Sequence, residues 1–233
     1  MESRLRHLAV EALFPRFCVA CRREGALMCR QCLDLWTPVP PQVSCAFCGR
    51  GGSPRTCSEC RDDRYLDGLT YFVPYGNALM RELIVSWKFH GDRSVEDVFV
   101  KSLRRAAPRM QPPLAPYWVT WVPLHESRLR SRGFDQAQRV ATWAGELFGL
   151  PVETLIRRSK KTAQQSRTIH GQRRVGEMDT IFELAPGIVV PDHVLLCDDV
   201  FTSGTTIDAA ARLLKENGAK TVWGFTLAKG RTT

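Results

Sequence analysis

Two adjacent carboxylates followed by a run of small hydroxyl residues stand out near the end of the chain. Asp198 and Asp199 follow the apolar segment 193–197. After Val200 and Phe201 the run continues as Thr202, Ser203, Gly204, Thr205 and Thr206. An apolar run, small residues and then a helical pattern predict a strand, a loop and a helix start. The free N–H groups and positive partial charge of a helix N-terminus bind phosphate, and the hydroxyls add donors.

The two carboxylates lie next to this loop, at the distance of a sugar ring. Carboxylates accept hydrogen bonds from ribose hydroxyls and also help to organise Mg²⁺. Residues 193–206 are therefore expected to bind the ribose 5-phosphate end of a phosphoribosyl ligand, with Gly204 allowing close backbone approach. The segment lacks the GxxxxGK[ST] pattern of a P-loop and the GxGxxG pattern of a dinucleotide fold.

Eight of the nine cysteines form four Cys-x-x-Cys pairs before residue 61. The pairs are Cys18 with Cys21, Cys29 with Cys32, Cys45 with Cys48, and Cys57 with Cys60. Two such pairs complete a tetrahedral Cys₄ site, so the spacing predicts two structural Zn²⁺ ions. We expect sequential sites, in which the first two pairs bind one ion and the last two pairs bind the other, because they need only short loops. An interleaved cross-brace would use the same eight cysteines in a different grouping. Gly49, directly after Cys48, suits a zinc knuckle because glycine readily takes a positive φ.

The remaining segments must position these groups. A change of composition near residues 61–68 predicts a Cys-rich module at 1–66, with a short lead-in helix, and a larger domain at 67–233. Strands are predicted near 69–73, 117–124, 189–190, 193–197 and 221–227, and helices near 77–90, 94–107, 135–148 and 206–217. Strands separated by helices predict an α/β fold with a doubly wound, mostly parallel sheet. The polar, basic stretch 157–180 predicts a mobile loop or a two-stranded flap.

The charge distribution favours an anionic partner. The net charge is +9, and residues 128–174 hold eleven basic residues against three acidic ones. Such a block favours a phosphorylated metabolite or a nucleic acid. Because uninterrupted apolar stretches fall short of the roughly 18 residues of a membrane span, we expect no membrane insertion. The N-terminal pattern does not fit a signal peptide, which predicts a cytoplasmic protein whose cysteines bind metal rather than form disulfides.

Residues 198–206 resemble the phosphoribosyl pyrophosphate signature of type I phosphoribosyltransferases. With the cysteine pairs, the segment Trp87-Lys88-Phe89-His90-Gly91-Asp92 and the segment Arg132-Gly133-Phe134-Asp135-Gln136, nearly the whole chain resembles the ComF family of competence-associated proteins. The resemblance implies a type I phosphoribosyltransferase-like sheet preceded by a double zinc-ribbon module. It also implies a role in DNA uptake during natural transformation.

The resemblance extends to a diphosphate half of the site. In related transferases a loop after an early strand binds pyrophosphate, which by position implicates residues 122–135 with Arg128, Arg132 and Gly133. The segment 157–174 resembles the flexible loop that covers bound diphosphate, with Gln165 and Arg173 at matching positions. Lys88 is placed to reach the crevice at the carboxyl edge of the sheet.

Two functions from different classes follow. In an enzyme, Asp198 and Asp199 would be the catalytic carboxylates that position ribose while pyrophosphate, carried with Mg²⁺, is displaced from the sugar. In a binding module, the same cleft and the basic block would hold single-stranded DNA or a nucleotide beside a DNA-uptake helicase. The chain departs from the family pattern at Asp135 and Gly176, where asparagine is frequent, and these positions bear on the choice of acceptor base.

Overall fold

A four-stranded, all-parallel sheet forms the centre of the protein. The computed structural model describes residues 17–36, 43–89, 93–110, 117–159 and 181–230. Its strands are β1 (Gly68–Pro74), β2 (Trp118–Trp121), β3 (Ile156–Arg158), β4 (Phe182–Leu184), β5 (His193–Phe201) and β6 (Thr221–Lys229). The main sheet has the order β1-β6-β5-β2, and β3 and β4 form a separate antiparallel pair.

Seven α-helices are found in the described residues. They are α1 (Arg30–Leu35), α2 (Ser58–Arg61), α3 (Ala78–Phe89), α4 (Ser94–Ala106), α5 (Glu126–Arg132), α6 (Gln136–Phe148) and α7 (Thr205–Glu216). Helices α3, α4 and α6 contribute buried residues to one core cluster, and α7 contributes to a second. The prediction of a doubly wound, mostly parallel sheet is confirmed.

The two core clusters are the two faces of the sheet. In β5, Leu195 and Cys197 belong to the cluster with α3, α4 and α6, while Val194 and Leu196 belong to the cluster with α7. This alternation follows from the two-residue period of a strand. Both faces are apolar because parallel sheets are covered by helices on each side.

Helix caps and hydrogen bonds between helices position the helices that border the sheet edge. Asp135 caps α6 by accepting the N–H groups of Ala137 and Gln138 at 2.9 and 3.3 Å, and α6 ends at Gly149 with φ +67°. Glu96 of α4 joins three helices, because it accepts from Trp87 of α3 at 3.3 Å and from Arg139 of α6 at 2.6 Å. Helices α3 and α6 are thereby fixed relative to α4.

Several sequence-based boundaries needed correction. Strand β5 runs to Phe201 instead of ending before the carboxylates, and residues 189–190 are irregular rather than a strand. Helix α5 was not predicted. The predicted lead-in helix and most of the predicted flap lie outside the described residues, although β3 and β4 flank the flap segment. The division at 66/67 stays a prediction. Within the described residues, no helix combines the length and apolar character that crossing a membrane requires.

Candidate functional site

A cleft of about 170 Å³ lies at the carboxyl ends of β2 and β5. These strands pair in parallel, so the residues that follow each of them meet at one edge of the sheet. The walls come from the segment after β2, from α5 and α6, from Arg158 of β3, from β5 and from the start of α7. Open α/β sheets bind ligands at this edge. The cleft also contains Lys88 from the end of α3.

Asp198 and Asp199 are the acidic groups of β5 in this cleft. Asp198 Oδ1 accepts the backbone N–H of Asp199 at 2.8 Å. Desolvation by the surrounding protein raises the pKa of Asp198 to about 8, and the neighbouring charge of Asp199 adds to this effect. Burial therefore disfavours the ionised form of Asp198.

Lys88 pairs with the second carboxylate. Its Nζ lies 2.6 Å from Asp199 Oδ2, and the two side chains are 18% and 13% exposed. A little-exposed ion pair is screened less by salt than a surface pair. The structure thus places Lys88 in the crevice, as its position in the sequence suggested, while its role toward a ligand stays a prediction.

Asp135 takes a structural role at the back of the cleft. Besides capping α6, it accepts the backbone N–H of Leu124 at 2.9 Å. Burial raises the pKa of Asp135, and the three backbone N–H groups oppose that rise. The carboxylate therefore ties the segment after β2 to the start of α6. These hydrogen bonds use both carboxylate oxygens, Oδ2 toward Leu124 and Oδ1 toward Ala137 and Gln138, whereas asparagine has only one acceptor oxygen.

The phosphate loop (residues 202–206) connects β5 to α7. Gly204 is the N-cap of α7 with φ +79°. Thr202, Ser203, Thr205 and Thr206 are exposed, and Ser203 Oγ lies 2.8 Å from Thr205 Oγ1. Because α7 is twelve residues long, its first turn offers free N–H groups beside these hydroxyls. The structure therefore brings together the groups that the sequence assigned to phosphate.

The opposite wall is cationic. Arg128 and Arg132 of α5 line the cleft, and Arg132 lies over the Phe89 ring with 5.4 Å between Cζ and the ring centroid. Gly133 ends α5 with φ +77°, a conformation that favours glycine. Arg158 Nε donates to Pro123 O at 3.1 Å, and desolvation lowers the pKa of Arg158. These guanidinium groups suit an anion with several oxygens.

Sequence reasoning did not single out Arg158 or Gln136 as cleft residues, and it included Arg158 only within the basic segment 157–174. Arg158 lies on the inward side of β3, two residues after the buried Ile156, so strand alternation was the available signal. Gln136 was noted only within a family motif. Its Oε1 accepts from Arg132 Nη1 at 3.1 Å, and its buried Nε2 has no hydrogen-bond partner among the described residues. Gln165 and Arg173 lie outside the described residues, so their predicted roles remain untested.

The eight paired cysteines form two clusters. The first cluster is Cys18, Cys21, Cys29 and Cys32, the second is Cys45, Cys48, Cys57 and Cys60, and in each the sulfur atoms lie within 4.8 Å of one another. The sequential grouping is therefore confirmed. The Cys21–Cys29 and Cys48–Cys57 sulfurs are 3.7 and 3.5 Å apart, close to the roughly 3.8 Å of a tetrahedral site with 2.3 Å Zn–S bonds.

Backbone geometry supports the same assignment. Gly49 has φ +76°, as predicted, and its N–H donates to Cys45 O at 3.0 Å. The backbone N–H groups of Cys29 and Cys57 point at Cys18 and Cys45 sulfurs, at 3.4 and 3.5 Å. Amides directed at sulfur stabilise thiolates. Each cluster could hold one Zn²⁺. Cys197, by contrast, is buried within β5, as expected for a small apolar residue.

Comparisons with known proteins agree with this architecture. A model of the phosphoribosyl transferase domain matches residues 132–233. The chain is 30% identical to competence protein ComFC of Bacillus subtilis (strain 168), with 79% of this chain and 77% of the relative covered. It is 25% identical to competence protein ComFC of Streptococcus pneumoniae (strain ATCC BAA-255 / R6), with 89% and 90% covered.

A solved structure of Trypanosoma cruzi hypoxanthine phosphoribosyl transferase is weakly similar. The match has 14% identity and a TM-score of 0.37, and it covers 59% of this chain and 67% of that chain. The long matches to the two competence proteins establish the family on their own. The chain belongs to the ComF family of competence proteins, and it carries a phosphoribosyl transferase-type domain behind two Cys₄ clusters.

Proposed function

We propose that the cleft binds phosphoribosyl pyrophosphate together with Mg²⁺. The observation that carries this proposal is the juxtaposition, at one sheet edge, of a helix-start phosphate loop, two carboxylates and a cationic wall. The phosphate loop would hold the 5-phosphate, because its hydroxyls and free N–H groups face solvent at the start of α7. The carboxylates end the strand that leads into the loop and line the same cleft as the arginines.

Asp198 and Asp199 are proposed to hold the ribose. Both hydroxyls of the sugar can donate to carboxylate oxygens. Asp199 already has a counterion in Lys88, whereas burial, and after it the charge of Asp199, raises the pKa of Asp198. Mg²⁺ carried by the diphosphate would neutralise charge on the leaving group, and the carboxylates of β5 are the residues that would help to hold it.

Arg128, Arg132 and Arg158 are proposed to receive the diphosphate. If an acceptor is present, the bond between C1 of ribose and the diphosphate oxygen breaks and the electron pair leaves with pyrophosphate. The acceptor bonds to C1 and loses its proton to the departing pyrophosphate or to solvent. The arginines would stabilise the negative charge that develops on pyrophosphate. The predicted covering segment with Gln165 and Arg173 would exclude water before the transfer. The proposal covers binding first, and transfer follows only with a suitable acceptor.

Isothermal titration calorimetry tests the binding. Wild-type protein should bind phosphoribosyl pyrophosphate in the presence of Mg²⁺, and Asp198→Asn or Asp199→Asn should weaken binding by at least about tenfold, or 1.4 kcal/mol. Asp97→Asn is the matched control, because Asp97 is an exposed residue of α4. Wild-type affinity that neither β5 variant changes would contradict the proposal. Release of pyrophosphate with a nucleobase acceptor would show that the protein is an enzyme.

The family points to competence, and a nucleic-acid function is the second candidate. Arg128 and Arg130 of α5 are exposed, so an anion longer than a diphosphate can reach them. In this function the chain would act in the cytoplasm, holding single-stranded DNA beside a DNA-uptake helicase, with the cysteine clusters as structural zinc sites. Tight single-strand binding at about 0.15 M salt, without any response to phosphoribosyl pyrophosphate, would favour it over the first.

A further inference from the structure

The second cysteine cluster touches the phosphate loop through one aromatic side chain. Phe47 is the residue before Cys48, and its ring meets the Phe201 ring edge to face with centroids 5.6 Å apart. Phe201 is the last residue of β5, directly before the loop. A Cβ placed on Gly204 would overlap the Phe201 ring and would lie 2.8 Å from Phe47 Cε1. The two rings therefore fill the space against which the loop backbone rests.

The same aromatic ring is tied to α7, the helix that begins at the loop. Arg64 lies over the Phe47 ring at 4.9 Å and reaches to 3.8 Å from Asp208 Oδ2 on α7. Asp208 Oδ1 accepts the N–H groups of Tyr65 and Leu66 at 2.9 and 3.0 Å. The polypeptide that leaves the second cluster is thus held against the first turns of α7.

The first cluster provides a matched comparison. Its equivalent knuckle position, before Cys21, is Ala20, which is exposed. Leu27, beside this cluster, packs on the core cluster that contains α3 and α4, whereas Phe47 packs on the core cluster that contains α7. The two knuckles share a backbone form but contact opposite faces of the sheet.

We propose that Phe47 is a positioning residue for the phosphate loop. Phe47 lies between Cys45 and Cys48, so a metal ion bound to both sulfurs would fix the backbone on either side of its ring. The ring in turn supports Phe201 and Gly204, which place the N–H groups of the loop. This inference rests on the proposed binding of a phosphoribosyl ligand, because it assigns the second cluster to the phosphate half of that site.

Binding to each half of the cleft tests the inference in the zinc-loaded, full-length protein. Ribose 5-phosphate probes the phosphate loop, and inorganic pyrophosphate probes the arginine wall. Phe47→Ala should weaken ribose 5-phosphate binding by about tenfold, since small displacements of a preorganised site lose much of its binding energy. Its pyrophosphate affinity should stay within about twofold of wild type. Phe47→Leu, which keeps an apolar side chain, should fall between wild type and Phe47→Ala.

Leu27→Ala is the control, because it removes a half-buried apolar side chain beside the first cluster. It should leave affinity for both ligands unchanged. Hydrogen exchange of the amides of residues 202–206, measured without ligand, gives a second readout that does not depend on the ligand chosen. Exchange should be faster in Phe47→Ala and unchanged in Leu27→Ala.

Three outcomes separate this inference from the proposed function. Wild-type affinity and wild-type exchange in Phe47→Ala would overturn the role of Phe47 while leaving phosphoribosyl binding intact. Equal losses in Phe47→Ala and Leu27→Ala would also overturn it, because the effect would then be general destabilisation. If wild-type protein does not bind phosphoribosyl pyrophosphate with Mg²⁺, the proposed function fails, and the exchange rates alone decide whether Phe47 supports the loop. If Phe47→Ala does not fold, Phe47→Leu carries the comparison.

Discussion

The two cysteine clusters share a backbone design and differ in what they touch. In each, the residue after the second cysteine has a positive φ, +62° at Arg22 and +76° at Gly49. Each of these residues donates its N–H to the first cysteine of its pair, at 2.8 and 3.0 Å. Helices α1 and α2 both start directly after the third cysteine. The local backbone conformation is therefore nearly the same in the two clusters, and they differ in the residues that each of them contacts.

The first cluster is anchored to the sheet face that carries α3 and α4. Trp36 meets Phe72 of β1 edge to face at 5.7 Å, and Arg105 of α4 donates to Leu33 O at 2.6 Å. The second cluster is anchored beside α7 and the phosphate loop. The comparison teaches that one repeated metal motif can serve two purposes: the first cluster covers apolar surface, and the second also supports the candidate site.

The largest effect is expected from removing a metal ligand. Cys21→Ser and Cys48→Ser are matched, because each replaces the exposed second cysteine of a knuckle. Since a structural zinc site contributes directly to folding, both variants should lose several kcal/mol of unfolding free energy and bind one zinc ion fewer. Thermal unfolding and metal analysis measure these losses.

Ribose 5-phosphate binding should then distinguish the two cysteine variants. Measured well below its melting temperature, Cys48→Ser should lose ribose 5-phosphate affinity by about tenfold or more, while Cys21→Ser keeps it. Equal affinities in the two variants would remove the distinction between the clusters. A zinc content that neither substitution changes would contradict the two-site assignment itself.

A smaller effect is expected at the contact between the second cluster and the loop. Gly204→Ala should lower the free energy of unfolding by about 2–4 kcal/mol. Alanine is disfavoured in a left-handed backbone conformation, and its Cβ would overlap two aromatic rings. Gly149→Ala is the control: Gly149 has φ +67°, and a Cβ there would meet no described atom within 4 Å. Gly149→Ala should lower the free energy of unfolding only by the roughly 1–2 kcal/mol that the left-handed backbone conformation costs. Chemical denaturation measures both, and equal costs would contradict tight packing under the loop.

Asp198 contrasts with the clusters because its negative charge lowers stability, whereas bound metal would raise it. The pKa of Asp198 is raised from 3.8 to about 8, so the folded state holds a proton that the unfolded state releases. This contribution to stability is complete below about pH 4 and is lost as the pH rises to about 8. Asp198→Asn should therefore remove this pH dependence and be more stable than wild type at pH 8. A wild-type pH profile in the variant would contradict the raised pKa.

The smallest effect is expected in the diphosphate half of the cleft. Gln136→Leu removes the acceptor that holds Arg132 and the Nε2 donor that lacks a partner among the described residues. Pyrophosphate affinity should fall by about threefold to tenfold, in line with the typical net value of one hydrogen bond. Ribose 5-phosphate affinity should be unchanged. A loss of affinity for both ligands would show that the two halves of the cleft are coupled.

Much of the fold could be predicted because its signals are local. The apolar runs in β5 and β6, the Cys-x-x-Cys spacing and the small residues at 202–206 each specify their own conformation. Contacts between distant segments carry no such signal. Leu66 and Asp208 are hydrogen-bonded although they lie 142 positions apart, and the approach of Phe47 to Gly204 is equally nonlocal. Helix α5 was missed because its polar, arginine-rich sequence lacks an apolar stripe.

A crystal structure with bound phosphoribosyl pyrophosphate and Mg²⁺ tests the central claim most directly. The 5-phosphate should lie on the N–H groups of residues 202–206, with Phe47 packed on the far side of the loop backbone. The ribose hydroxyls should contact Asp198 and Asp199, and the diphosphate should meet Arg132. A 5-phosphate bound away from this loop, or a loop that has separated from Phe47 on binding, would contradict the account.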